Sequence, residues 1–79
     1  MTPRDKAQAG LRQLKEAIID LLKENPDGLR NAEIAELLGI RSSFGKGAKD
    51  YLSWSLLGML HNEGRVKKTG QKYRLNGSP

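Results

Sequence analysis

Turns that contain glycine or proline divide this 79-residue chain into several segments. Asn25-Pro26-Asp27-Gly28 ends the first apolar segment, Gly39 and Gly64 each follow a helical pattern, and Thr69-Gly70 separates two short alternating runs. Glycine is common just after a helix because it adopts the left-handed backbone conformation that often closes one. A chain of this length has room for one domain with one modest core.

Three segments have the apolar spacing of an amphipathic helix. In the first, apolar residues recur every three or four positions and share one face: Leu11, Leu14, Ile18, Leu21 and Leu22. The second is expected to start at Asn31 as its N-cap and to end at Gly39. The third is expected from about Ala48 to Asn62, with its buried side formed by Ser53, Leu56, Leu57 and Leu60.

The remaining segments predict a small sheet and two terminal pieces. Gly28-Leu29-Arg30 is expected to form a short strand. Val66, Tyr73 and Leu75 alternate with charged residues, as in a β-hairpin with one buried face. Residues 1–10 form an N-terminal extension or part of the first helix, residues 11–75 form the domain, and residues 76–79 are expected to be a disordered tail. The prediction is a mainly α-helical α+β fold in the order helix, strand, helix, helix, hairpin.

Composition excludes several classes of site and argues against others. The absence of cysteine excludes disulfides and thiolate metal sites, and it fits a reducing, cytoplasmic compartment. A single histidine, His61, cannot build a metal site alone, and no serine lies in a strained nucleophile turn. The chain has neither the apolar run of a signal peptide nor that of a membrane span. We therefore expect no enzymatic activity, no cofactor and no membrane partner.

Charge is distributed unevenly along the chain. Residues 1–40 contain six basic and seven acidic residues and have a net charge of −1, whereas residues 41–79 contain eight basic and two acidic residues and have a net charge of +6, which together give the +5 of the chain. Folding does not require such an excess, because like charges repel in the compact state. A basic surface of this kind fits a polyanionic partner such as nucleic acid, although a basic face that only aids solubility is the plainer alternative.

Two stretches of sequence resemble the winged helix-turn-helix family. They are GLRNAEIAELLGI (Gly28–Ile40) and LLGMLHNEGRV (Leu56–Val66), the second followed by a basic hairpin. The resemblance covers roughly residues 11–75 and departs from the family in the longer connection between the second and third helices. It implies double-stranded DNA as the partner, with the third helix in the major groove and the hairpin as the wing. Transcription regulation or DNA targeting within a larger protein would follow.

This resemblance assigns DNA contacts to three segments. The exposed stripe of the third helix contains Tyr51, Ser55, Gly58 and Asn62, of which Tyr51 and Ser55 are the candidate contacts. Basic and hydroxyl side chains near the start of that helix would bind phosphate, since a helix N-terminus already attracts anions; these are Arg41, Ser42, Ser43, Lys46 and Lys49. The hairpin would contribute Lys67, Lys68 and Lys72.

Protein docking is the main alternative. Leu52, Trp54 and Met59 flank the buried stripe of the third helix and would serve a homodimer or a larger protein partner if exposed. Tryptophan at such a position is more often part of the core, so we expect Trp54 to pack inside. Binding of RNA or single strands ranks lower, because the few aromatic residues are spread over several elements.

Overall fold

A computed structural model describes residues 1–41 and 50–76. Within these ranges it is a small α+β domain with three helices and a three-stranded antiparallel sheet, which confirms the predicted class and element order. The elements are α1 (Pro3–Glu24), β1 (Leu29–Arg30), α2 (Asn31–Leu37), α3 (Tyr51–Asn62), β2 (Val66–Thr69) and β3 (Lys72–Leu75).

Helix α1 begins at the proline that follows Thr2, so residues 3–10 belong to it. The Thr2 hydroxyl oxygen accepts a hydrogen bond from the Asp5 N–H at 3.1 Å, and the Asp5 carboxylate accepts one from the Thr2 N–H at 3.2 Å. This capping box satisfies two backbone donors that helix geometry would leave free. The helix buries Ile18, Ile19 and Leu22 near its C-terminus, and its first eight residues or so project beyond the core.

Helix α2 starts one residue earlier than predicted. Arg30 is its N-cap residue and Asn31 is already helical, so the assignment of Asn31 as N-cap was wrong. The Arg30 N–H instead donates a hydrogen bond to the Glu33 carboxylate at 2.9 Å. The Asn31 side chain is used elsewhere, because it bonds Ser53 and the backbone of Asp50 at the start of α3. Gly39 follows α2 with a positive φ, as predicted.

The sheet has the strand order β1-β3-β2, and its hairpin turn differs by one residue from the prediction. The turn residues are Gly70 and Gln71, not Thr69 and Gly70, because Gly70 with φ of 64° takes the first turn position. Paired residues of antiparallel strands lie on one face. The register therefore places Leu29, Val66, Lys68, Tyr73 and Leu75 on one face, and Arg30, Lys67, Thr69, Lys72 and Arg74 on the other.

One core holds the helices and the sheet together. It is an apolar cluster drawn from α1, α2, α3 and the first sheet face, with Ile18, Ile34, Leu57 and Leu60 all fully excluded from solvent. The predicted buried side of α3 is confirmed, since Ser53, Leu56, Leu57 and Leu60 are all buried. Asn76 closes the hairpin: its N–H bonds the Arg65 carbonyl, and its side-chain amide bonds the Gly64 carbonyl. Residues 77–79 of the predicted tail lie outside the described residues.

Gly28 is expected to be intolerant of substitution. Its φ is 93°, and a Cβ built on it would lie 3.0 Å from the Tyr73 carbonyl oxygen. Gly28→Ala would therefore force a left-handed backbone on alanine and press on the central strand β3, and we expect it to destabilise the fold by at least about 1 kcal/mol. Thermal unfolding measures the effect, with Gly10→Ala as the control because nothing lies within 4 Å of Gly10. Equal stability of Gly28→Ala and the unaltered chain would contradict this packing.

Candidate functional site

One exposed stripe of α3 has polar or small side chains and no acid. Tyr51, Ser55, Gly58 and Asn62, which the sequence placed on one stripe, are all exposed, and no aspartate or glutamate occurs between Tyr51 and Asn62. Hydroxyl and amide groups can donate and accept hydrogen bonds, and glycine leaves the helix backbone approachable. We call these four residues the α3 stripe. It offers a helix surface that a hydrogen-bonding, negatively charged partner can approach closely.

Asp50, a buried residue, anchors the N-terminus of α3 through its carboxylate and its backbone carbonyl. The helix begins at Tyr51 with Asp50 as N-cap residue, rather than near Ala48. Asp50 is 4% exposed and accepts from the Arg41 Nε at 3.3 Å. The backbone carbonyl oxygen of Asp50 accepts a hydrogen bond from the Ser53 hydroxyl at 3.1 Å and one from the Asn31 side-chain amide at 3.4 Å. These bonds tie α2, α3 and Arg41 together and set the position of the stripe.

Arg41 can hold Asp50 in place and at the same time contact a phosphate. One guanidinium N–H bonds Asp50, while 46% of the side chain remains exposed. Its structural bond thus leaves other N–H donors accessible at the edge of α3. The other predicted phosphate contacts of this segment lie outside the described residues; they are Ser42, Ser43, Lys46 and Lys49.

The three predicted hairpin lysines do not share a surface. Lys68 pairs with Tyr73 and lies on the sheet face toward α3, with its Nζ 5.5 Å from the centre of the Tyr73 ring. Lys67 and Lys72 lie on the opposite face of the sheet because they occupy alternate positions. The structure therefore brings one of the three lysines to the α3 stripe and directs two away from it.

A groove runs between α3 and the hairpin. Two adjoining concavities form it, and both are lined by Trp54, Lys68 and Tyr73. One end also includes Asn31, Tyr51 and Gln71, and the other includes Ser55, Met59 and Asn62. We call this feature the α3–hairpin groove. It combines a cation, aromatic faces and hydrogen-bonding side chains along one wall of a helix.

Trp54 is a surface residue, so the prediction that it packs in the core was wrong. Its exposure is 60%, and Leu52 and Met59 are exposed by 42% and 40%. Helical spacing places Trp54 on one side of the α3 stripe and Leu52 with Met59 on the other, although Met59 also lines one end of the groove. Sequence reasoning also missed Asn31 and Gln71 as groove residues. A two-residue turn assigned to Gly70 and Gln71 would have predicted that Lys68 pairs with Tyr73.

Ion pairing removes the acidic groups of the second half of the chain from this surface. Asp50 and Glu63 are the two acidic side chains among residues 41–79. Asp50 is buried against Arg41, and Glu63 pairs with Lys15 of α1. Neither carboxylate lines the groove as a free charge opposite Lys68, although Asp50 borders one end of it. Among the described residues, the cations Arg30 and Lys68 line the groove, and Asp50 is its one lining carboxylate.

Within residues 1–41 and 50–76, no group of three or more His, Asp or Glu side chains is placed to hold a metal ion. No helix in the same residues combines the length and apolar character that crossing a membrane requires. The groove therefore offers hydrogen bonding, stacking and charge attraction as its chemistry.

Comparison of the chain with protein-family models, with curated protein sequences and with solved structures gave no significant match.

Proposed function

We propose that the chain is a winged helix-turn-helix domain that binds double-stranded DNA through the α3–hairpin groove. The observation that carries the proposal is the position of the acid-free α3 stripe beside Lys68, with the flanking carboxylates Asp50 and Glu63 paired with Arg41 and Lys15. Helix α3 would enter the major groove, and the β2–β3 hairpin would act as the wing. The sheet order β1-β3-β2 and the order of the helices support this reading.

The dimensions and chemistry of α3 fit this role. The major groove of B-DNA is about 12 Å wide and admits one α-helix. Ser55 and Gly58 have small side chains, so they allow the helix to come close to the base edges. Asn62 can pair with the edge of adenine, and Ser55 can donate to or accept from several bases. Regulation of transcription, or the targeting of a larger protein to DNA, would be the biological use.

Lys68 and Trp54 would add backbone and sugar contacts. The Lys68 ammonium lies on the hairpin wall of the groove, where a phosphate beside a seated duplex would meet it. The exposed indole of Trp54 lies between that lysine and the α3 stripe and can pack against a deoxyribose or a thymine methyl group. Contacts with phosphates set position and affinity, whereas the stripe would supply preference among sequences.

Titration of a fluorescent random-sequence duplex of about 20 base pairs tests the proposal. We expect binding whose log K falls linearly with log salt, with a slope of roughly −3 to −4 if the four cations Arg41, Lys46, Lys49 and Lys68 reach phosphates. Lys68→Ala should weaken binding to every sequence and make the slope shallower by about 0.9. Lys6→Ala is the matched control, because Lys6 is exposed on the projecting part of α1. A duplex that does not bind at 50 mM salt would refute the proposal.

Protein docking is the second candidate, favoured by the exposure of Leu52, Trp54 and Met59. Trp54 and Met59 both line one end of the α3–hairpin groove, whereas helical spacing places Leu52 across the α3 stripe from Trp54. Light scattering at micromolar concentration tests for a homodimer. A stable dimer that forms without DNA and is lost in Trp54→Ala would favour docking, whereas a monomer that binds the duplex would favour DNA as the partner.

A further inference from the structure

A second basic surface covers the side of the sheet that faces away from α3. The register places five side chains on it: Arg30, Lys67, Thr69, Lys72 and Arg74. All are exposed except Arg74, which is half-buried. We call this surface the outer sheet face. Four of its five side chains are cationic, a density that a small domain does not need for its own folding, since these charges repel one another.

The outer sheet face contains an unpartnered donor. The Nε of Arg74 is buried and has no hydrogen-bond partner among the described residues. Arg74 lines a concavity together with Lys67 and with Lys23 from the last turn of α1. Three cations line this concavity, and no carboxylate of the described residues lines it with them. Their mutual repulsion would be relieved by an anion from outside the chain.

A single carboxylate, Glu33, is among the side chains that line the concavities of this face. It lies near Arg30 and Lys72, and one of its oxygens accepts the Arg30 backbone N–H at 2.9 Å. Glu33 therefore offsets part of the charge at the β1 edge, while the Lys67 and Arg74 pair is left without a carboxylate in its concavity. Toward β2 and the end of α1, the lining residues of the concavity include three cations: Lys23, Lys67 and Arg74.

The cations are spread along the sheet instead of converging on one point. Neighbouring strands are about 4.8 Å apart, and residues two positions apart on one strand are separated by about 6.8 Å. The pair Lys67 and Arg74 and the pair Arg30 and Lys72 thus occupy an area of about 10 by 7 Å. This layout fits a polyanion with regularly spaced charges better than it fits one small anion.

We propose that the outer sheet face binds the phosphate backbone of a second DNA segment, so that one copy of the chain bridges two duplexes. The inference rests on the proposed function, in which a first duplex occupies the α3–hairpin groove. Side chains of alternate residues in a strand point to opposite faces. Lys68 faces the first duplex, and Lys67 and Lys72 face away from it, so phosphates that meet them belong to another segment.

Bridging is measured by energy transfer between two populations of 20-base-pair duplexes that carry donor and acceptor dyes. The outer-face variant is Lys67→Gln with Lys72→Gln, which leaves the half-buried Arg74 in place. Lys6→Gln with Arg12→Gln is the matched control, because it removes the same charge from exposed positions of α1. Binding of a single duplex at limiting protein is recorded for every variant, and light scattering identifies the samples that are monomeric.

We expect the monomeric unaltered chain and the α1 control to bring donor and acceptor duplexes together. The outer-face variant should reduce this transfer at least about tenfold, since two phosphate contacts are lost, and should leave single-duplex affinity within about threefold. The proposal is overturned if the outer-face variant weakens single-duplex binding as much as Lys68→Ala does, because both faces would then contact one duplex. It is also overturned if the unaltered chain binds one duplex without bridging. Absence of any duplex binding would instead refute the proposed function.

Discussion

Ser55→Asp is expected to lower duplex affinity about 30- to 100-fold at 0.1 M salt. The substitution places a carboxylate at the middle of the α3 stripe, where the seated helix would face base edges and flanking phosphates. Repulsion by nearby phosphates and the loss of water from an unpaired charge together cost about 2–3 kcal/mol, and each 1.4 kcal/mol corresponds to a factor of ten. Fluorescence anisotropy with a labelled duplex measures the change.

Gln13→Asp is the matched control for this substitution. Gln13 is an exposed residue of α1, so the variant has the same net charge and also replaces a polar helical residue by aspartate. Its affinity should fall by no more than about threefold, which is the effect of net charge alone at a distance screened by salt. Equal losses in the two variants would show that α3 has no special relation to DNA.

Leu57→Ala is expected to produce the largest loss of stability among single substitutions in α3. Leu57 is fully excluded from solvent in the core that joins α3 to the rest of the fold. Truncating a leucine at such a site removes transfer free energy and leaves a cavity, at a cost of about 2–5 kcal/mol. A domain of this size has a total stability of about 4–12 kcal/mol, so the melting temperature should fall by at least about 10 °C.

Met59→Ala tests whether burial of the side chain is the cause of the stability loss expected for Leu57→Ala. Met59 belongs to the same helix but is 40% exposed, so its truncation should cost less than about 1 kcal/mol. Both variants are compared by circular dichroism during thermal unfolding. A smaller melting shift for Leu57→Ala than for Met59→Ala would contradict the packing of α3 described above.

Apolar periodicity and turn residues were enough to predict most of the fold. The spacing of Leu56, Leu57 and Leu60 identified the buried side of α3, and the alternation around Val66 and Tyr73 identified the hairpin. These signals are local, since each depends on the repeat of a helix or strand within a few residues. The order of elements followed from them without any knowledge of long-range contacts.

The candidate site was less predictable because it depends on contacts between distant segments. Asn31 is a good N-cap residue by type, but its side chain bonds Ser53, which is 22 positions away. Trp54 was expected in the core on hydrophobicity alone, yet the core is filled by other α3 residues and leaves the indole outside. One position in the hairpin turn also decided the partner of Lys68, which lies opposite Tyr73 and not opposite Gln71. The face of Lys68 was already indicated by the sequence, because Lys68 is two positions from the buried Val66.

The central claim is that DNA occupies the α3–hairpin groove, and chemical-shift mapping tests it most directly. The ¹⁵N-labelled chain would be titrated with a 16-base-pair duplex while its ¹H–¹⁵N spectrum is recorded. We predict that the largest amide shifts at substoichiometric duplex belong to the α3 stripe and to Lys68. Shifts that are largest on the exposed side of α1, with those of Ser55, Gly58 and Lys68 unchanged, would contradict the account.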